Sequence, residues 1–244
     1  MPCSRSLISA SVLRMRALIF DLDGTLIDSL PGIAASLNRS LIQHGLPGQS
    51  HANVQGFIGD GAVKLVQRAL ATVSRVDLVS SVLANFTADY AASWPQGTSV
   101  YPGMHEWLTE LQERSIPLAV LSNKPHAFTV EIVGRLFPKI RFHAVIGHRE
   151  DLAHKPDPAG AIEIASKLGV APEHCIIIGD STMDLDTAKN AGMQSIAVTW
   201  GYHDADRLAG ADGMVHRIAE LRESLFEMMN AASDPAAPFP KRTE

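Results

Sequence analysis

Five short apolar runs that never alternate with polar residues set the frame for this chain: "RALIF" at 16–20, "PLAVLS" at 117–122, "FHAVIG" at 142–147, "CIIIG" at 175–179 and "SIAVTW" at 195–200. A strand with one wet face alternates in polarity, whereas an unbroken run of Val, Ile and Leu needs apolar neighbours on both faces. Parallel strands covered by helices supply that environment. Helix-like stretches at 103–114, 125–136, 157–168 and 183–191 fall between the later runs. The spacing therefore predicts an α/β fold built on a doubly wound parallel sheet.

Residues 28–97 break this rhythm. They hold no convincing strand and show helical periodicity in "LPGIAASLNRSLIQHG", "DGAVKLVQRALATV" and "VDLVSSVLANFTADYAASW". They predict a helical domain inserted after the first strand, leaving a core of residues 16–27 and 98–228. The Pro- and Gly-punctuated "PQGTSVYPG" at 95–103 reads as the return linker. The first 16 residues are Ser-rich and carry Arg5, Arg14 and Arg16 but no acid. That composition suits a transit peptide, a disordered extension, or a chain whose translation starts at Met15. Residues 1–15 and the Pro/Ala-rich 231–244 read as disordered tails.

The 244 residues are 46% hydrophobic, enough for a large core, and the formal net charge is −5. An acidic chain without long Lys/Arg runs is a poor partner for nucleic acid or an anionic membrane surface, so small molecules are the expected partners. No apolar run approaches the roughly 20 residues that span a bilayer. Only Cys3 and Cys175 occur, which makes a disulfide framework implausible and suits a reducing, cytoplasmic setting. Oligomeric state is not readable from the sequence.

In an open α/β sheet, ligands bind beyond the carboxyl ends of the strands. There the chain places Asp21-Leu22-Asp23-Gly24-Thr25, Ser122-Asn123-Lys124, Lys155-Pro156-Asp157-Pro158 and Gly179-Asp180-Ser181-Thr182-Met183-Asp184. In extended backbone, Asp21 and Asp23 share a face. With Asp180 and Asp184 they form an acidic group that repels itself unless a cation sits among it. Oxygen ligands without His or Cys favour Mg²⁺, which commonly shares an oxygen of a substrate phosphate. Ser122, the backbone at Asn123 and Lys155 suit the remaining phosphate oxygens. A carboxylate ionised at neutral pH can attack phosphorus without a base, so Asp21 is the candidate nucleophile. Asp23 can protonate the departing alcohol and later accept a proton from water.

"FDLDGTLIDS", "LSNK", "HKPDP" and "GDSTMDLDTAKNAG" resemble, in order, the four signature motifs of the haloacid dehalogenase superfamily of phosphatases, and the resemblance covers about residues 16–225. It implies a Rossmann-like core with a small cap, an aspartyl-phosphate mechanism, and catalytic roles for Asp21, Asp23, Ser122 and Lys155. It also implies Mg²⁺ held by the Asp21 side chain, the Asp23 carbonyl and Asp180, with Asp184 supporting the metal site. Within the superfamily, "FIGDGAVKLVQRAL", "VYPGM", "LAVLSNKP" and "AVTWGY" are similar to phosphoglycolate phosphatases. Gly24, Thr25, Ser122, Asn123 and Lys155 then make up the expected substrate-binding set, together with the Gly59-Asp60-Gly61 turn at a helix start. That turn could take a small acid's carboxylate on its free N–H groups, provided Asp60 points away. Arg68, two turns on, is a more distant anion partner. His126 and His154 flank two motifs and receive no chemical role, and Trp200 and Tyr202 are read as rim packing.

The expected activity is a Mg²⁺-dependent phosphomonoesterase acting on a small phosphorylated acid, 2-phosphoglycolate first. A sugar phosphatase, a pyrophosphatase and a β-phosphoglucomutase-like mutase share the core motifs and differ in the cap. A non-catalytic binding module of the same fold is the alternative from another class. Segments near 27–29 and 95–101 are the expected hinges of cap movement.

Overall fold

A computed structural model describes residues 16–230; both expected tails lie outside them. Strand β1 (Ala17–Phe20) is buried at every position, and Asp21, Leu22 and Asp23 continue past its end. A two-residue strand β2 (Ile27–Asp28) leads into four helices: α1 (Leu30–Gln43), α2 (His51–Phe57), α3 (Gly61–Ala71) and α4 (Val79–Ser93). The chain returns through β3 (Ser99–Val100) and α5 (Met104–Glu113). It then alternates β4 (Leu118–Pro125), α6 (His126–Leu136), β5 (Ala144–His148), α7 (Ala159–Leu168), β6 (Cys175–Gly179), α8 (Thr182–Ala191), β7 (Gln194–Val198), β8 (Gly213–Val215) and α9 (Ile218–Asn230).

Six strands form one sheet in the order β5-β4-β1-β6-β7-β8, and every neighbouring pair is parallel. The doubly wound sheet is thus as the apolar runs predict, with β8 as a sixth strand. "GMV" is too short to stand out as an apolar run. β1 lies between β4 and β6, so three of the motif-bearing strand ends meet at one place on the rim, and the Lys155 loop reaches in from beyond the edge strand β5. Phe20, Leu18, Val120, Ile176, Ile178, Trp107 and Leu108 pack one face of the sheet; Ile19, Ala119, Ile146, Ile177 and Ile164 pack the other.

In the insertion Leu37, Leu41, Val54, Leu65, Val66, Leu70, Val82 and Phe86 are buried in an apolar cluster continuous with the Phe20 and Trp107 face of the sheet. α3 shows why the periodicity reads as helix: Leu65, Val66, Ala69 and Leu70 fall on its buried stripe. The expected return linker at 95–103 contains a short strand. Ile27–Asp28 pairs antiparallel with Ser99–Val100, so the outward and return paths are zipped into a two-stranded ribbon. Backbone pairing of two-residue strands carries almost no sequence signature, which is why it reads as linker.

Candidate active site

The four motifs do meet. Asp21 is 8% exposed, and its Oδ1 accepts from the Leu22 N–H at 2.7 Å and from Lys155 Nζ at 2.8 Å. Lys155 also donates to Asp184 Oδ1 at 2.6 Å and to the Leu121 carbonyl at 3.3 Å. Asp184 Oδ2 accepts from the Ser181 backbone N–H and hydroxyl, so this acid both opens α8 and anchors Lys155. Asp180 is held from two sides: Oδ1 by the Thr25 hydroxyl at 2.9 Å, Oδ2 by the Tyr202 N–H at 2.8 Å. Gly24 and Gly201 make room for it. A Cβ on either residue would stand 2.3 Å from Asp180 Oδ2, and Gly24 also has φ +83°.

Asp21, Asp180 and Asp184 each bring a carboxylate oxygen within 4.8 Å of the others. Burial is the largest cause pushing the Asp21 carboxyl well above the usual carboxylate range; Lys155 opposes the rise, and Asp184 and Asp180 add to it. Burial likewise lifts Asp180 to about 7, helped by Asp184 and opposed by the bonds from Tyr202 and Thr25 and by Lys155. Burial opposes charge on Asp21, so the ionised carboxylate expected at neutral pH depends on the cations around it. Three acids beside one ammonium leave two negative charges unmatched, the charge of one divalent cation. An all-carboxylate, nitrogen-free and sulfur-free donor set fits a hard cation of that kind.

The expectation that Asp23 is a second carboxylate of the same cluster is corrected. β1 ends at Phe20, so the shared-face geometry of a strand does not extend through Asp23. Its carboxylate has a cation of its own: Lys124 Nζ lies 2.9 Å from both oxygens, and the Ser29 hydroxyl donates to Oδ1 at 2.5 Å. Both acids nonetheless line one cavity of about 90 Å³. Its floor includes Ser122, Lys124, Asp180 and Ser181 from the sheet rim. Its far wall is supplied by the insertion, with Ile33, Ile58, Leu65, Phe86 and Tyr90.

The remaining expected site residues divide. Ser122 and Asn123 line the cavity. The Asn123 side chain is committed elsewhere, donating to the Gly59 carbonyl at 2.9 Å and accepting from the Lys155 N–H at 2.7 Å. It ties the insertion and the Lys155 loop to β4. Thr25 is fully buried and serves Asp180, so it and Gly24 support an acid and do not face the cavity. Lys155 stands behind Asp21, likewise away from the lining. Gly59 and Gly61 line the cavity, but Asp60 does not: it turns back to pair with Arg68. Arg68 also donates to the Phe57 carbonyl at 2.9 Å. It fastens the turn and is not directed at an anion in the cavity.

Lys124 and Tyr202 are the residues that sequence reasoning passed over. Lys124 sits inside the quoted "LSNK" motif, where strand alternation put Ser122 and Lys124 on one face, a signal that was available. Tyr202 is no mere packing residue. Its hydroxyl accepts from the Ser29 and Leu30 N–H groups at 2.8 and 3.0 Å, closing the first turn of α1. No local pattern announces a contact across 173 residues.

The haloacid dehalogenase-like hydrolase family model matches residues 18–198. A phosphoglycolate phosphatase from Pectobacterium atrosepticum is 33% identical over 220 residues, covering 87% of this chain and 93% of the relative. One from Pseudomonas putida is 37% identical over 226 residues, covering 91% and 81%. Among solved structures, a candidate phosphoglycolate phosphatase from Lactobacillus delbrueckii subsp. bulgaricus superposes with a TM-score of 0.81 at 30% identity, covering 87% of this chain and 98% of that one.

Proposed function

This chain belongs to the haloacid dehalogenase-like hydrolases and is a phosphatase, and on that premise we propose that it hydrolyses 2-phosphoglycolate through a phosphoaspartate at Asp21. The observation that carries the reading is the state of the Asp21 carboxylate. Its Oδ1 is held by Leu22 and Lys155, which leaves Oδ2 for the attack, and the residue opens on a cavity lined by Ser122.

In the first step Asp21 Oδ2 bonds to phosphorus as the ester P–O bond breaks, and Asp23 gives a proton to the departing oxygen. In the second, Asp23 takes a proton from water, the water oxygen bonds to phosphorus, and the bond to Asp21 breaks to release phosphate. Ser122 and the backbone N–H groups beyond it bind phosphoryl oxygens. Lys155 keeps Asp21 oriented and offsets its repulsion from phosphate. Held by Asp21, Asp180 and the Asp23 carbonyl, with Asp184 behind them, Mg²⁺ would supply the positive charge that lets an anionic nucleophile approach an anionic phosphoryl group.

The helical insertion acts as the cap over this chemistry. The N–H groups at the Gly59-Asp60-Gly61 turn can receive a carboxylate, because Asp60 is turned away onto Arg68. Support for the glycolate leaving group also comes from the relatives named phosphoglycolate phosphatase.

The test is a panel of small phosphate esters, p-nitrophenyl phosphate among them, ranked by kcat/KM with Mg²⁺ and again with EDTA. 2-Phosphoglycolate at the head of the ranking, and loss of turnover with EDTA, is the expected result. Metal-independent turnover would overturn the metal assignment; preference for a sugar phosphate would overturn the substrate.

A further inference from the structure

We propose that Lys124 recognises the substrate's second negative group, and that taking up this group is what releases Asp23 for proton transfer. The proposal rests on the reading of Asp21 and Asp23 above and extends it to a residue outside the expected site set.

Lys124 is placed unusually for a lysine. Its side chain is 7% exposed, and Nζ binds both oxygens of Asp23 at 2.9 Å. The same ammonium lies 4.9 Å from the ring centroid of Tyr90, which comes from α4 of the insertion. Burial alone would lower its pKa, but Asp23 and Tyr90 outweigh that and hold it firmly cationic. Among the described residues that line the cavity, it is the one lysine or arginine. Lys155, the other buried lysine at the rim, stands behind Asp21 and is occupied by Asp21 and Asp184. A ligand entering with one carboxylate beyond its phosphate therefore meets one ammonium able to change partners, and its second oxygen is left for the N–H groups of the Gly59–Gly61 turn that lines the same cavity.

That exchange has a chemical consequence. Asp23 lines the cavity, but Lys124 holds both of its oxygens and Ser29 one of them, so its carboxylate is fixed on these partners and not on a leaving group. Pulling it away alone would strand a buried ammonium without a counter-charge, which costs several kcal/mol. A substrate carboxylate supplies the missing counter-charge, and Asp23, separated from the ammonium, takes from solvent the proton that it then gives to the departing oxygen. A neutral ester of the same size can fill the cavity but cannot replace Asp23 on Lys124. Selectivity for an acidic leaving group then appears in kcat as well as in KM.

The experiment compares 2-phosphoglycolate with 2-hydroxyethyl phosphate, its neutral counterpart, in the full-length wild type and in Lys124→Met and Lys124→Arg, each checked for folding by thermal denaturation. The wild type is expected to favour phosphoglycolate in both kcat and KM. Lys124→Met should shrink the ratio of the two kcat/KM values by tenfold or more, and Lys124→Arg should restore much of it. If the wild type prefers the acid and Lys124→Met keeps that ratio while losing both activities equally, Lys124 only positions Asp23 and the proposal falls. If the wild type shows no preference for the acid, it is the substrate reading that fails. Should Lys124→Met not fold, Lys124→Gln carries the same comparison; a preference confined to KM in the wild type also counts against the release of Asp23.

Discussion

At the sheet rim every buried acid has a hydrogen-bond partner, although one ammonium serves two of them. Lys155 lies between Asp21 and Asp184, Lys124 lies on Asp23, and Thr25 and Tyr202 hold Asp180. Across the cavity the insertion presents Ile33, Ile58, Leu65 and Phe86, with Thr87 and Tyr90 as its polar exceptions. The polar links that cross between them include Asn123 to the Gly59 carbonyl, Gln55 to the Tyr202 carbonyl, the Ser29 hydroxyl to Asp23, and the Tyr202 hydroxyl to the start of α1. A hydrogen bond is worth about 1 kcal/mol net, so such links can be broken and remade. The rim must hold charges at fixed separations in a medium where misplacing one is costly, and it tolerates little substitution. The wall opposite has only to be apolar, well shaped and able to move.

The sharpest way to break that contrast is Asp21→Asn. A neutral amide cannot become an acyl phosphate, so turnover should fall by about 10⁴-fold or more. Stability should not suffer, because the change removes a buried charge that the protein already disfavours. Steady-state kinetics with a thermal melt on the same sample reads both. A mutant that keeps its turnover would remove Asp21 from the mechanism.

Lys155→Met comes next, and here activity and stability should fall together. The substitution leaves Asp21 and Asp184 facing each other without their shared ammonium, and breaking a buried pair of this kind costs about 3–5 kcal/mol. Denaturant unfolding would read the loss. A substitution of an insertion wall residue such as Phe86→Leu should by contrast cost little and leave the hydrolytic step intact. Equal damage from the two changes would mean that rim and wall are not built on different rules.

A smaller effect follows from Asp180, whose pKa is lifted to about 7. An acid with a raised pKa in the folded state favours folding most below its ordinary value of 3.8, and that advantage is lost as pH rises through the folded value. The metal-free chain should therefore lose stability between about pH 4 and pH 7. Added Mg²⁺ should raise Tm more at pH 8 than at pH 5.5, since protons compete for the same oxygens at the lower pH. Melting curves at both pH values with and without Mg²⁺ test this. An equal shift at the two would place the cation elsewhere.

How much of this was legible in the sequence follows the same division. The parallel sheet and the meeting of four motifs could be read because an unbroken apolar run and a polar strand end each obey a local rule. The helical nature of 28–97 was legible for the same reason: Leu65, Val66, Ala69 and Leu70 keep a helical period. What escaped was set by contacts between distant segments. Tyr202 reaches Ser29, the β2–β3 ribbon joins the two ends of the insertion, and Lys124 takes Asp23 away from the acidic cluster. Asp60 shows the limit from the other side. Sequence posed the question of where its charge points, and only the pairing with Arg68 answered it.

That pairing supports the mildest prediction. Arg68 and Asp60 are 38% and 31% exposed in their side chains, and ion pairs so placed contribute about 0–1 kcal/mol. Arg68→Gln should therefore barely move Tm. It frees Asp60, however, to swing its charge toward the N–H groups at Gly59 and Gly61, where a substrate carboxylate is proposed to sit. KM for 2-phosphoglycolate should rise a few-fold with kcat nearly unchanged, and the double change Arg68→Gln with Asp60→Asn should return KM toward the wild-type value, because the stray charge is gone. If Arg68 were itself the anion partner, the double mutant would stay as impaired as the single one. Measuring KM across the three proteins therefore decides whether this arginine fastens the wall of the cavity or binds what enters it.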